Sequence, residues 1–147
     1  MKKGEIETAE KYKADATLLN FQLLGDQAKQ KRAQAELEEK RQADVKRRES
    51  MFKQVIEMDP EDAMANNGMG EIELDRGHYE QAATYFKAAI EADKKYSVAY
   101  LGLAKSYYQL QMQEELKEIL LLGIEIASKN GDLMPANEMQ AMLVKKI

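Results

Sequence analysis

Few residues of this chain have the type and spacing to do chemistry. His78 is the only histidine, and a lone imidazole needs a second ligand or a base partner before it can act. It stands beside Gly77 and reads as a surface turn residue. Asn66-Asn67-Gly68-Met69-Gly70 has the glycine content of a phosphate loop. Such a loop follows a strand, opens a helix and carries Lys-Ser/Thr or a later acid, and this segment has none of these. Its glycines fall inside a helical pattern, where Gly70 lets a neighbouring helix come close. Glu71, Glu73 and Asp75 alternate around a helix, whereas paired acid–base work needs two carboxylates facing across a cleft. Asp59, Glu61 and Asp62 lack the glycine spacing of a calcium loop. The chain has no cysteine, so thiolate nucleophiles, thiolate metal sites and disulfides are excluded. The expectation is no catalytic residue, no metal, no cofactor and no enzyme activity.

The elements that carry these residues are helical. The composition is rich in Ala, Glu, Lys, Gln, Leu and Met, with two prolines, Pro60 and Pro135, and almost nothing alternates with the period of a strand. The N-terminus runs straight into charged residues, unlike a secretory signal. The apolar run Ile119–Ile124 is far too short for a bilayer. A cytoplasmic protein with no membrane partner is expected. From Lys29 to Lys53 nine basic residues stand against five acidic ones, so this stretch is net positive in a chain of net charge −4. Interleaved acids and the absence of an aromatic before Phe52 argue against nucleic acid. Met51, Met58, Met64, Met69, Met112, Met134, Met139 and Met142 fall mostly at helical spacing and read as core.

A shift of about 34 residues superimposes two segments. Gly70 falls on Ala104, Met69 on Leu103, Leu74 on Tyr108, Ala82 on Leu116, Phe86 on Leu120 and Ala89 on Gly123. The reverse shift sets Phe52 under Phe86 and Ile56 under Ile90. Each unit reads as two antiparallel helices. Ala63 to Asp75 is a first helix that stops at Gly77. Tyr79 to Ala92 is a second, with Ala82, Phe86, Ala89 and Ile90 on one stripe. Ser97 to Leu110 and Glu114 to Ser128 repeat the pair. Pro60 ends the helix before them. Gly131 closes the last helix in a left-handed cap, Asp132 opens a final one, and Pro135 fits its first turn.

Gly77-His78-Tyr79-Glu80-Gln81-Ala82 with Tyr85-Phe86, Ala89-Ile90 and Glu91-Ala92-Asp93 resembles the turn and second helix of the tetratricopeptide-repeat family. Phe52, Val55-Ile56 and Glu57-Met58-Asp59-Pro60 resemble the end of another such unit. Leu116 departs from the small residue at Ala82, Lys94 stands where a proline is usual, and Met112 follows a turn without glycine. The resemblance implies an all-α fold of antiparallel helical hairpins stacked as a short right-handed solenoid. The expected organisation is an N-terminal helical segment over 1–50, hairpins over 51–131 and a capping helix over 132–147. The hairpins are 63–96 and 97–130, preceded by the second helix of an earlier unit at 48–59. Leu133, Met139, Met142 and Leu143 of the cap should face the last hairpin. Asn137, Glu138, Gln140, Lys145 and Lys146 should face water.

The first third is less regular. Phe21, Leu24, Gly25 and Ala28 resemble the start of a first helix, and Glu5 to Leu19 reads as the remnant of a further unit. Between Gln30 and Asp59 no Gly or Pro intervenes. Two readings stay open: one continuous helix, or a hairpin stretched at its tip near Leu37–Gln42. The continuous helix is favoured because no turn chemistry is offered. A heptad frame through Phe21, Leu24, Ala28, Lys31 and Ala35 is polar in its middle, so a solvated arm is preferred to a dimer seam.

In such stacked hairpins the first helices line the concave side. That face should carry Met64, Asn67, Gly68, Glu71 and Asp75, then Val98, Leu101, Lys105, Tyr108 and Gln109. Asn67 can bond a peptide backbone both ways, Lys105 can meet a carboxylate, and Tyr108 offers a flat apolar face. The expected function is a scaffold that binds a partner peptide or helix there. The alternative is an assembly protein that forms a homodimer through its N-terminal helix. Some tetratricopeptide proteins clamp a chaperone's C-terminal carboxylate with Lys, Asn and Arg. Here Glu71 and Asp75 would repel an acidic tail and the Arg is absent, which argues against that clamp. From the register alone, Ala82→Leu should overpack a helix crossing and cost about 1–3 kcal/mol; an unchanged thermal melt would refute the register.

Overall fold

The structure, a computed structural model, describes residues 3–146, with the side chain of Lys146 left outside. The expectations for Lys146 and for the final position of the capping segment, Ile147, therefore fall outside the described residues, as do Met1 and Lys2. Six helices occupy the described chain: α1 (Lys3–Met58), α2 (Ala63–Asp75), α3 (Tyr79–Ala92), α4 (Ser97–Gln109), α5 (Gln113–Asn130) and α6 (Leu133–Lys146). There is no strand among them. Contacts divide the chain into two units, Met1–Asp44 and Val45–Ile147.

In the first unit, α1 runs without the turn that a hairpin near Leu37–Gln42 would need. Its described residues up to Asp44 are all exposed. Local bonds support the helix: Thr8 and Thr17 hydroxyls donate to the carbonyls of Gly4 and Lys13, and Gln42 Nε2 donates to Glu38 Oε1 at 2.8 Å. Each such neighbouring pair contributes only about 0.2–0.5 kcal/mol, so helix-forming composition does most of the holding.

The second unit begins with the last turns of α1. Val45, Glu49, Phe52 and Ile56 are its half-buried residues, spaced as one stripe of a helix. The chain then leaves the helix before Pro60. Asp62 caps α2, its carboxylate accepting from Ala65 N at 2.8 Å. Gly77 at φ +80° turns the chain, and His78 N returns to Glu73 O at 2.9 Å. The second hairpin closes the same way, Met112 N reaching Tyr107 O at 3.0 Å. There Gln111, at φ 59°, holds the left-handed position that glycine holds in the first. Gly131 at φ +78° ends α5, which runs two residues past the expected Ser128.

From α2 onward each helix packs on its chain neighbour, and α4 also touches both α2 and α6. The first helices of the hairpins and α6 thus form one layer, with α3 and α5 behind it. The core is Phe86, Leu116, Leu120, Met139 and the small residues between them, all fully buried. The Cδ1–Cε1–Cζ edge of the Phe86 ring lies between α2 and α4. A Cβ on Gly70 would sit 2.7 Å from that edge, and one on Gly102 2.3 Å from it. Phe52 stands against Gly68 in the same manner, at 2.4 Å from such a Cβ. The repeat visible in sequence therefore recurs as a repeated contact.

Three expectations are corrected. Gly68 does not face the concave side, because the ring of Phe52 occupies its side of α2. Leu133 of α6 is 70% exposed and does not pack on the last hairpin; Ala136, Met139 and Met142 do, one helical stripe further on. Met51, Met58, Met64 and Met134 are exposed, while Met69, Met139 and Met142 are buried. Helical spacing placed the methionines on faces without telling which faces a neighbour covers.

An ion-pair chain fastens the end of α1 to the turn after α2. Arg76 donates to both Glu49 oxygens, at 2.6 and 3.1 Å, and Lys53 Nζ lies 3.0 Å from Glu49. Arg76 also reaches Glu73 at 3.0 Å, and His78 Nδ1 lies 2.7 Å from Glu73. Hydrogen bonds from Arg76 first, then Lys53, pull the Glu49 carboxyl down from 4.5 to about 2.

Gly102→Ala should lower stability by about 1–2 kcal/mol, the steric cost against Phe86 exceeding the helix-propensity gain; chemical denaturation with an unchanged midpoint would refute the slot. Glu49 titrates below its unfolded value, so its contribution is present above pH 4.5 and is lost as pH falls toward about 2. Parent and Glu49→Gln should differ by about 1–2 kcal/mol near neutral pH, after allowance for solvent screening, and converge at the acid end of that window. Melts that stay equally far apart at both ends would contradict this.

Candidate functional site

The layer of α2, α4 and α6 carries an open cleft of about 440 Å³, lined by Leu74, Tyr79, Lys105, Tyr108, Gln109, Glu138, Ala141 and Met142. Its position follows from the hairpins. Gly77 ends α2 just past Leu74 and starts α3 at Tyr79, so both stand at one end of the layer. One turn separates Lys105 from Tyr108 and Gln109 on α4, which places all three on the same side. The α6 wall is fixed from below by Met139 and, just before its N-terminus, by a bond from α4: Ser97 Oγ donates to Asp132 Oδ2 at 2.6 Å. At the end of α5, Asn130 Nδ2 donates to Lys95 O, in the turn before α4, at 2.7 Å. Across the cleft Lys105 Nζ and Glu138 Oε2 approach to 3.6 Å, with both side chains about half exposed. A pair that exposed contributes little to stability and can open to a competing charge.

A second, smaller hollow of about 370 Å³ lies at the N-terminal ends of α4 and α6, among Tyr96, Val98, Leu133, Met134 and Pro135. Val98, Leu133 and Met134 are exposed there. With Met64 at the matching end of α2, 67% exposed, they recur at the second position or so of each helix of the layer.

Between the two ends the face is more polar and more enclosed. Asn67 is 5% exposed, and its Nδ2 donates to Glu71 Oε1 at 3.3 Å. Glu71 itself is half-buried and Asp75 is exposed. Burial first, then the charges of Glu71, Asp62 and Asp93, push the Tyr96 phenol above its ordinary range. Burial likewise raises Tyr100, with Asp93 adding to it, while its hydroxyl donates to Lys94 O at 2.8 Å. Negative charge thus gathers at the α2 side of the layer.

The residues expected on this face separate into groups. Lys105, Tyr108 and Gln109 come together in the cleft; Val98 joins the second hollow. Met64, Glu71 and Asp75 flank them along α2. Asn67 and Leu101, expected to be open to a partner, are buried instead, Leu101 to 8% exposure within the core. Both occupy the fifth position of their helix. Sequence reasoning missed the contribution of α6. Glu138 is exposed and Met142 is buried on the last hairpin, as expected, but both also line the cleft. The signal was the shift of about 34 residues, which sets Ala136 under Gly102 and Met142 under Tyr108 and so gives α6 the register of a first helix.

Among the described residues no group of three or more His, Asp or Glu side chains is placed to hold a metal ion. None of the described helices is long and apolar enough to cross a membrane. Two family models, both described as tetratricopeptide repeat, match residues 48–97 and 73–132. The sequence matches no curated protein.

Proposed function

The chain is a tetratricopeptide-repeat protein, a kind of repeat that generally mediates protein–protein interaction, and from that premise we propose that the α2–α4–α6 layer holds a segment of a partner protein. The observation that carries this reading is the cleft around Tyr108. Leu74, Ala141 and Met142 give it apolar walls, Tyr108 adds a flat face with a hydroxyl, and Lys105, Glu138 and Gln109 supply polar groups at its rim. At about 440 Å³ it falls in the range of sites that enclose a few side chains. An apolar side chain of the partner fills the cleft, and its neighbouring polar groups compete for the exposed Lys105–Glu138 pair.

Self-association is a second reading, and the exposed part of α1 favours it. Leu18, Leu19, Phe21, Leu23 and Leu24 are all more than half exposed. At 100° per residue they point all round the helix rather than along one stripe. Helices apolar on every side are ordinarily enclosed. A second copy of the same segment is the simplest cover, since closed two-fold pairing is the commonest assembly of identical chains.

Affinity capture from the lysate of the source organism should give a band with the parent that falls about tenfold with Lys105→Glu/Tyr108→Ala and is kept with Leu121→Ala on exposed α5; equal capture by all three would place the partner elsewhere. For the second reading, sedimentation of the parent should give twice the chain mass and Leu19→Glu/Leu23→Glu a single mass. A parent that stays monomeric across the accessible concentrations would exclude it.

A further inference from the structure

Asn67 and Glu71 lie one turn apart on α2 and are joined by the bond from Asn67 Nδ2 to Glu71 Oε1 at 3.3 Å. That bond fixes the amide's orientation, because the flipped amide would set its oxygen against the carboxylate. Asn67 Oδ1 is then turned away from Glu71 and has no donor, although the side chain is almost wholly buried. An amide oxygen in that position ordinarily finds a partner. Glu71 accepts that one bond from Asn67 but, half-buried, takes part in no ion pair among the described residues. The nearest equivalent cation, Lys105 at the same place in the next repeat, is turned to Glu138 at 3.6 Å. An unsatisfied acceptor, closed off from solvent, and a half-buried carboxylate without a cation therefore stand one turn apart on α2. After burial, the charges of Glu71, Asp62 and Asp93 together raise the Tyr96 phenol.

We infer that the Asn67–Glu71 pair receives a guanidinium group from a basic segment of the partner. A guanidinium presents five N–H donors in one plane, so it can pair with the half-buried Glu71 carboxylate and, as the Asn67 side chain turns outward, also take its amide oxygen; an ammonium is a compact point charge without that fork. An acidic segment meets the reverse, since Glu71 repels it and Oδ1 offers it no donor. The cleft around Tyr108 and the Asn67–Glu71 pair then read two features of one segment, an apolar side chain and an arginine. This inference rests on the reading of the layer as the partner-binding face.

The test titrates N-acetyl-arginine methylamide into the full ¹⁵N-labelled chain and follows the Asn67 side-chain amide and the backbone amides of 64–71. N-acetyl-citrulline methylamide, equal in shape but uncharged, is the control. The expected result is a saturable shift with the arginine compound, about tenfold weaker with citrulline, and about tenfold weaker again for arginine on Glu71→Gln with an unchanged melt. Equal responses to the two compounds, an undiminished response in Glu71→Gln, or no response at all would overturn the inference. A partner that is lost on Lys105→Glu/Tyr108→Ala but kept by Glu71→Gln would overturn it while leaving the binding face in place. A partner indifferent to all three substitutions would remove the face itself.

Discussion

The edge of the Phe86 ring between Gly70 and Gly102 is the contact on which the repeat unit depends. No side chain separates α3 from α2 or α4 at that point, so the ring sets how near the two first helices stand. Any Cβ there would come inside contact distance of an aromatic edge that has glycine on both sides and no room to withdraw. Phe52 and Gly68 repeat the arrangement one unit earlier, and Leu120 and Ala136, at the same separation in sequence, are both buried one unit later. The stack is thus a large residue of each second helix set against a small residue of the next first helix. Stability in such an array comes mainly from neighbour contacts, which is why the terminal helices are part of it rather than additions to it.

That geometry has a direct consequence for the surface. Because α4 touches both α2 and α6, the three helices expose one continuous layer. Its chemistry is graded along the layer. Toward α6, Lys105 and Glu138 neutralise one another beside an apolar cleft. Toward α2, Asn67 and Glu71 hold acceptors without a cation. A partner segment therefore meets an apolar, charge-balanced end and an acceptor-rich end, and this asymmetry gives the face a direction.

The helices were legible in the sequence and their cover was not. Asp62, Gly77 and Gly131 fixed helix ends by local backbone chemistry, and α2 and α3 have the bounds that those signals imply. The small residue at Gly70 announced close approach, and it is buried against the Phe86 ring. Asn67 and Leu101 were misjudged as open because helical period assigns a face but not the distance to the adjacent helix. Leu133 and the exposed methionines failed for the same reason. The long α1 was readable because no residue between Gln30 and Met58 offers a turn. What surrounds its apolar residues lies beyond any local rule.

The claim that the α2–α4–α6 layer is the face that takes a partner is tested most directly by placing a photo-crosslinking amino acid, p-benzoylphenylalanine, at Tyr108 in the cleft and, separately, at Leu121 on exposed α5. Irradiation in the source cells should yield a covalent partner adduct from position 108 and none from position 121. An adduct from 121 with none from 108 would contradict the account.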